Sequence, residues 1–377
     1  LANDEQATVE IRNWDLAFAI DMFEVTVLSN PVNGVTVYKT PYAVADFATV
    51  DTAGYANWQM LYNEFNDWSA GTLQNAADTA SSLDYGWGNY NPITHVVEGT
   101  RVFLLKLEQN STVAFKKFYV VGKDVSGNWQ FRLADLDGSN DATRTIDVSD
   151  YAQRHFAYFA IDDDQFLNRE PANTSWDLLF TRYYAPVGGG VFYPVTGVLA
   201  NKNTEIAKAE SVDVNTVLEA EYAGSYSENI STIGYDWKTF NGAGFDVQDS
   251  LVYFVRTQSS DVFKLRFTGF ESADGLFVFD KTLVFTSVEG STNGVYLVDL
   301  YPNPASDAVR LVWNASHQGV VTFDVCNTLG QRVLHETGTA TTGLNVRSLD
   351  VSLLPNGIYH VTVQTEIGGT TRRFVKQ

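Results

Sequence analysis

Five histidines, two methionines and one cysteine are the imidazole and sulfur donors in this chain of 377 residues. None of the histidines stands in an HExxH or paired-His spacing, and no serine sits in a GxSxG turn. Neither a zinc site nor a hydrolase triad is therefore written in the sequence. Cys326 lies in an apolar stretch and reads as a small buried hydrophobe rather than a nucleophile. A lone cysteine also excludes an internal disulfide and a CxxC redox pair. Oxygen ligands alternate at Asp135, Asp137, Ser139 and Asp141, as they do at the start of a calcium loop. Asn140 holds the sixth position in place of glycine and Ile146 the twelfth in place of glutamate, so the stretch is a weak calcium candidate and reads better as a solvated turn. Gly188-Gly-Gly190 lacks the Lys-Ser/Thr of a phosphate loop and reads as a hairpin turn. The richest candidate for binding is an aromatic, Asn-rich stretch: Tyr55, Trp58, Tyr62, Trp68, Tyr85, Trp87 and Tyr90, followed by His95. Rings with a polar edge suit the stacking of a flat ligand or sugar, and they suit the covering of an exposed sheet end equally well.

The elements that would carry these residues are strands, and they recur. Trp14-Asp-Leu-Ala-Phe18 returns as Trp176-Asp-Leu-Leu-Phe180, and Asp84-Tyr-Gly-Trp87 has a counterpart in Gly234-Tyr-Asp-Trp237. Val102-Phe-Leu-Leu-Lys106 matches Val252-Tyr-Phe-Val-Arg256, and Phe115-Lys-Lys-Phe118 matches Phe263-Lys-Leu-Arg-Phe267. The order is conserved within the chain, with offsets running from 162 (14 to 176) to 148 (115 to 263). That pattern predicts two copies of one domain of about 150 residues. Trp14, Leu16, Phe18 and Ile20 fall on one side of a period-two pattern, as do Phe263, Leu265 and Phe267 between Lys264 and Arg266. Turn signals such as Asn33-Gly34, Ser126-Gly127, Asp137-Gly138 and Asp274-Gly275 separate the strands. One exception is expected at 58–68, where Trp58, Leu61, Tyr62, Phe65 and Trp68 recur at helical steps and predict a short helix lying on the sheet. Only 13 residues precede Trp14, against 25 from Tyr151 up to Trp176, so the first copy is expected to lack its opening strand or to borrow an edge.

Charge divides the chain in the same sense. It holds 25 basic and 45 acidic residues, a formal charge of −20. Residues 296–377 hold six acids (Asp299, Asp307, Asp324, Glu336, Asp350, Glu366) and six bases (Arg310, Arg332, Arg347, Arg372, Arg373, Lys376), so the whole excess lies upstream. A body that acidic repels phosphate backbones, which argues against nucleic-acid binding. No apolar run approaches the ~20 residues of a membrane-spanning helix. The organisation read from the sequence is a first copy over 1–146, a second over 147–287, a linker at 288–295 and a neutral module over 296–377.

The second copy resembles the HmuY family of secreted haem-binding proteins of Bacteroidetes, through Trp176, Asp177, Arg182 and Tyr183, then Val252-Tyr-Phe-Val-Arg256 and Phe263-Lys264. The first copy is similar but has Ile20 and Asp21 in place of Arg182 and Tyr183. This resemblance implies an all-β, mostly antiparallel body outside the cytoplasm. Hemophores of the family hold iron through two axial His or Met side chains. Where one such histidine would fall, the second copy reads Thr239-Phe-Asn-Gly242, and the remaining candidates are His95, His155, Met22 and Met60. Haem is accordingly the disfavoured option, no cofactor or metal being expected; His95 with Met60 is the pair to test.

The last module resembles the type A C-terminal sorting domain of proteins exported by the type IX secretion system. The matching blocks are Tyr301-Pro-Asn-Pro-Ala-Ser-Asp307, Asn327-Thr-Leu-Gly-Gln-Arg-Val333, Leu349-Asp-Val-Ser-Leu-Leu-Pro-Asn-Gly-Ile-Tyr359 and the terminal Arg372-Arg-Phe-Val-Lys376. The resemblance places the sorting signal on Pro302, Asn303, Pro304, Asp307, Leu329, Gly330, Leu354, Pro355, Gly357, Tyr359 and Lys376. It implies an Ig-like sandwich, expected here with seven strands. It also implies recognition by an outer-membrane translocon and its shuttle protein, and cleavage by a sorting peptidase. The body would then be attached to surface lipopolysaccharide or released. The sequence thus reads as an all-β, non-enzymatic cell-surface or extracellular cargo: two HmuY-like antiparallel domains, one short helix in the first, and a C-terminal Ig-like sandwich. The body would bind a small ligand or surface partner; the alternative is a structural or adhesive subunit whose repeats act as spacers.

Overall fold

The computed structural model describes residues 1–2, 5–109, 111–188, 191–284, 295–315, 317–328, 330–366 and 368–377. They form two compact units, Leu1–Leu283 and Val284–Gln377. The fold is all-β, and the helical residues described are short 3₁₀ turns.

The first half of the larger unit contains β1 (Leu16–Ala19), β2 (Val27–Ser29), β3 (Val35–Ala43), β4 (Gln59–Leu61), β5 (Gly88–Tyr90) and β6 (Val97–Gly99). It continues through β7 (Arg101–Gln109), β8 (Thr112–Lys123), β9 (Trp129–Asp135), β10 (Ala142–Ile146), β11 (Phe156–Ala160) and β12 (Gln165–Leu167). One sheet has the order β12-β11-β1-β2 and a larger one runs β10-β9-β8-β7-β3-β4, all antiparallel, with β5 and β6 attached at β8. β1 reads Leu-Ala-Phe-Ala without alternation because it is central and covered on both faces: all four residues are fully buried. Leu16, Phe18, Trp87, Phe103, Phe118, Trp129 and Phe131 build one core.

The second half contains β13 (Leu178–Pro186), β14 (Phe192–Ala200), β15 (Glu205–Glu210), β16 (Lys238–Phe240), β17 (Phe245–Val247), β18 (Leu251–Arg256), β19 (Val262–Glu271) and β20 (Leu276–Val284). Its pairing repeats that of the first half. β13-β14 corresponds to β1-β2, β16-β17 to β5-β6, and β15-β18-β19-β20 to β3-β7-β8-β9. The side-chain bonding repeats as well. The Asn30 amide donates to the carbonyls of Ile11 and Trp14 at 2.8 and 3.0 Å. That of Asn201 donates to Asn173 and Trp176 at 2.8 and 2.6 Å. Each asparagine thereby satisfies the carbonyls of the turn that launches a Trp-Asp strand.

Two features depart from the sequence reading. Residues 58–68 form no helix: β4 and a loop occupy them, because their rings are held by partners distant in the chain rather than by one another. β11, placed by the sequence at the opening of the second copy, pairs with β1 in register Leu16↔Phe159 to Ala19↔Phe156. Its Ala157 and Phe159, with Ile161 just beyond, enter the core built by Phe18 and Phe131. The edge expected to be borrowed comes from beyond residue 146.

The smaller unit contains β21 (Val295–Tyr301), β22 (Ala308–Ala315), β23 (Gly319–Asn327), β24 (Arg332–Ala340), β25 (Gly343–Asp350), β26 (Gly357–Thr365) and β27 (Gly369–Lys376). Sheets β21-β22-β25 and β24-β23-β26-β27 enclose Trp313, Phe323, Val361, Val363 and Phe374. Tyr359, Val361 and Val363 point inward and alternate with His360, Thr362 and Gln364, as period two requires. Apart from Val295, the linker expected at 288–295 lies outside the described residues, as do Leu329, Gly189 and Gly190.

Candidate functional site

The motif residues of the last module are dispersed over some seventy positions, and the topology collects them at one end of its sandwich. Asn303 Oδ1 accepts the N–H of Val375 at 2.9 Å. Ala305 exchanges backbone bonds with the last strand, donating to Val375 at 2.8 Å and accepting from Gln377 at 2.9 Å. Pro302 and Pro304, exposed beside them, each follow a cis peptide bond. The Asp307 carbonyl accepts Val351 N–H at 2.8 Å, and Leu354 N–H folds back onto Val351 at 3.0 Å. Pro355 offers its carbonyl to the Tyr359 hydroxyl at 2.8 Å, and the Tyr359 ring stacks on Phe374 at 5.6 Å. Gly357 lies opposite Lys376, whose buried amine donates to the Gln377 carbonyl at 2.8 Å. The turn containing Gly330, at φ +77°, belongs to the same end because Asn327 pairs with Tyr359. Left-handed backbone at that turn requires glycine or pays strain. Most of these residues therefore brace one another. The surface they present includes Tyr301, Pro302, Pro304 and Leu353, the last 95% exposed.

The aromatic stretch of the first half is not gathered into one site. Trp87 is fully buried, with its indole N–H on the Val25 carbonyl at 2.9 Å and Trp129 beside it at 5.3 Å. Trp68 donates to Ala200 O at 2.7 Å and thereby ties the first half to the second. Trp58 sits edge-on to Tyr42 at 6.1 Å. Tyr90 bonds His95 Nδ1 at 2.5 Å on an exposed turn where His95 has φ +60°. Tyr62 lines a cleft. It stacks on Phe192 of the second half at 4.3 Å and lies 6.2 Å from Tyr184. That cleft, about 380 Å³, is lined by Arg12, Met60, Tyr62, Glu108 and Tyr184 among others. Its size suits a small ligand, with one cation, one carboxylate and two phenols to orient it. Arg12, Glu108 and Tyr184 carried no local signal, since they lie far apart in the chain and only tertiary packing brings them to one cleft, Tyr184 from the second half.

The other candidates are engaged elsewhere. Asp135 binds Lys116 at 2.5 Å and accepts Ser139 and Asn140, Asp137 accepts Ser139, and Asp141 takes a bidentate Arg132 at 2.7 and 2.6 Å. Lys116, Ser139 and Asn140 hold the carboxyl of Asp135 below the usual range, and Arg132 does so for Asp141. The loop is a hairpin turn closed by its own donors. Three of the residues considered for haem have partners within the chain. His95 is bound to Tyr90, His155 Nε2 to Asn201 at 2.7 Å, and Met60 faces the Tyr62 hydroxyl on a different element from His95.

No curated protein matches the chain. Among solved structures, dimeric latent PorU from Porphyromonas gingivalis is similar at 8% identity and a TM-score of 0.22, over 70% of this chain and 31% of that one. The chain thus spans less than a third of that protein, a likeness too low to carry an argument. Residues 299–377 match the family described as the secretion system C-terminal sorting domain, which marks this chain as a secreted cargo with its sorting signal in the last module.

Proposed function

We propose that this protein is a non-enzymatic cargo of the type IX secretion system, carried across the outer membrane on the signal in residues 296–377 and then displayed or released. The observation that carries this reading is the family match over 299–377 together with the gathering of its motif blocks at one end of the sandwich. A translocon and its shuttle protein would read the exposed part of that end, and a sorting peptidase would cut upstream of it. Attachment to surface lipopolysaccharide would follow. The body would be HmuY-like in descent, a reading supported by the sequence blocks at Trp176-Asp177, Arg182-Tyr183 and Val252–Arg256, and would take a small polar or aromatic ligand, or a surface partner, in the cleft beside Tyr62 and Tyr184.

Deleting residues 296–377 tests the route. In a host with an intact type IX system, the truncated body is expected to remain in the periplasm as a folded protein. Its normal appearance at the surface or in the medium would refute the assignment.

A further inference from the structure

The cleft beside Tyr62 presents donors that the fold itself leaves unused. Arg12 lines it, and among the described residues the Arg12 guanidinium has no hydrogen-bond or ion-pair partner. The Tyr62 hydroxyl meets the Met60 sulfur at 3.7 Å, and the Tyr184 hydroxyl has no hydrogen-bond partner among the described residues. Burial, then the nearby Tyr184 and Tyr38, raise the Tyr62 phenol above its ordinary value, so it stays a donor at neutral pH. The carboxylate on the cleft, Glu108, is already taken by the Lys106 amine at 2.7 Å. Pro31, Val32, Met60 and Leu61 add apolar surface.

The backbone around these groups is fixed by its own bonds. Asn30 caps the turn Pro31–Asn33, its Oδ1 accepting Asn33 N–H at 3.3 Å, while its amide takes the carbonyls of Ile11 and Trp14 that flank Arg12. Gly34 ends the turn at φ +82°, where a Cβ would stand 2.1 Å from the Glu108 carbonyl oxygen. The second half repeats this cap and not the site. Between the Asn173 and Trp176 carbonyls taken by Asn201, Thr174 stands where Arg12 does, and Lys202 follows Asn201 where Pro31 follows Asn30. Lys202 gives its amine to Glu24 at 2.5 Å. The turn can therefore be built without Arg12 or Pro31, and a role outside the turn accounts for them.

We infer that the cleft takes a small organic monocarboxylate, its carboxylate on the Arg12 guanidinium, the phenols of Tyr62 and Tyr184 as further donors, and its apolar body over Pro31, Val32 and Met60. This rests on the reading that the cleft beside Tyr62 is a ligand site. A guanidinium fork matches a carboxylate with two parallel hydrogen bonds. A phosphate monoester carries about two charges at neutral pH. With one guanidinium, Glu108 alongside and the whole −20 in this body, its second charge would go unmatched. An ammonium ligand would find Glu108 already paired. The cleft volume of about 380 Å³ lies at the small end of ligand pockets, which suits a compact body.

The test titrates the full chain with three probes of one shape, 3-phenylpropionate, 3-phenylpropionamide and 3-phenylpropylamine, and reads binding by calorimetry. The acid is expected to bind about tenfold or more tighter than the amide, and the amine weakest. Arg12→Gln is expected to bring the acid down to the affinity of the amide; Arg12 is exposed, and an unchanged unfolding midpoint checks that the fold is kept. Val32→Trp, which fills the cleft, is expected to abolish binding of acid and amide alike. Equal binding of acid and amide, both lost in Val32→Trp, would overturn the carboxylate assignment and leave the cleft as a ligand site. So would acid binding that is unchanged in Arg12→Gln and lost in Val32→Trp. Acid binding that survives Val32→Trp, or no binding of any probe up to about 10 mM, would overturn the cleft reading as well.

Discussion

Lys123 and Lys238 show how much charge the acidic body has drawn inside. Lys123 is 2% exposed, donates to the carbonyls of Asp21 and Glu24 and lies over the Trp129 ring at 4.8 Å. Lys238 donates to Thr196 O at 2.5 Å and lies over Trp237 at 4.2 Å. Burial pushes both amines down to about 8. Well below that pH both lysines are protonated in the folded and the unfolded chain alike. Between about 8 and the ordinary lysine value near 10.5 the unfolded chain holds more, so stability rises with pH. Buried tyrosines act in the opposite sense: desolvation raises Tyr158, Tyr183 and Tyr253, which stay neutral above 10 where the unfolded chain ionises. The urea midpoint of the body is therefore expected to rise from about pH 7.5 to about 9.5 and fall beyond it. Replacing both lysines, Lys123→Met with Lys238→Met, should flatten the rise and leave the fall. A rise that persists in the double variant would show that other groups cause it. None of this is legible in the sequence, where no local pattern marks either lysine as buried.

At the scale of elements, the sequence was informative where the partner is local and silent where it is distant. Trp14 and Trp176 mark strand starts because a turn precedes each and a short apolar run, Leu-Ala-Phe-Ala or Leu-Leu-Phe, follows, and Pro355-Asn-Gly357 marks a turn by its own chemistry. The rings at 58–68 misled because helical spacing can arise by accident. Trp58 answers to Tyr42, Tyr62 to Phe192 and Trp68 to Ala200 O, and no local period records those partners. The place of β11 was hidden for the same reason, since strand pairing across some 140 positions leaves no trace in either strand. Its weight can be measured. Phe159 is fully buried against Phe131 and Phe166, so Phe159→Ala should cost about 3–5 kcal/mol of unfolding free energy and expose β1 amides to exchange. A loss below about 1 kcal/mol would mean that β11 is not part of the first core.

Across the whole molecule, the chain divides into an acidic body of two similar halves and a neutral module whose motif residues brace one another at one end. The sorting reading was legible because the family's blocks carry turn chemistry, including Pro302, Pro304, Gly330 and Gly357, that survives as wording in the sequence. The ligand was not, because the cleft beside Tyr62 draws Arg12, Glu108 and Tyr184 from positions far apart in the chain, the last of them from the second half. The central claim is that residues 296–377 act as an address independent of what they are attached to. Fusing them to an unrelated periplasmic reporter and measuring the reporter outside the cell tests this most directly. The account predicts external reporter in a strain with a working type IX system and periplasmic retention in one without it. Equal distribution in the two strains would contradict it.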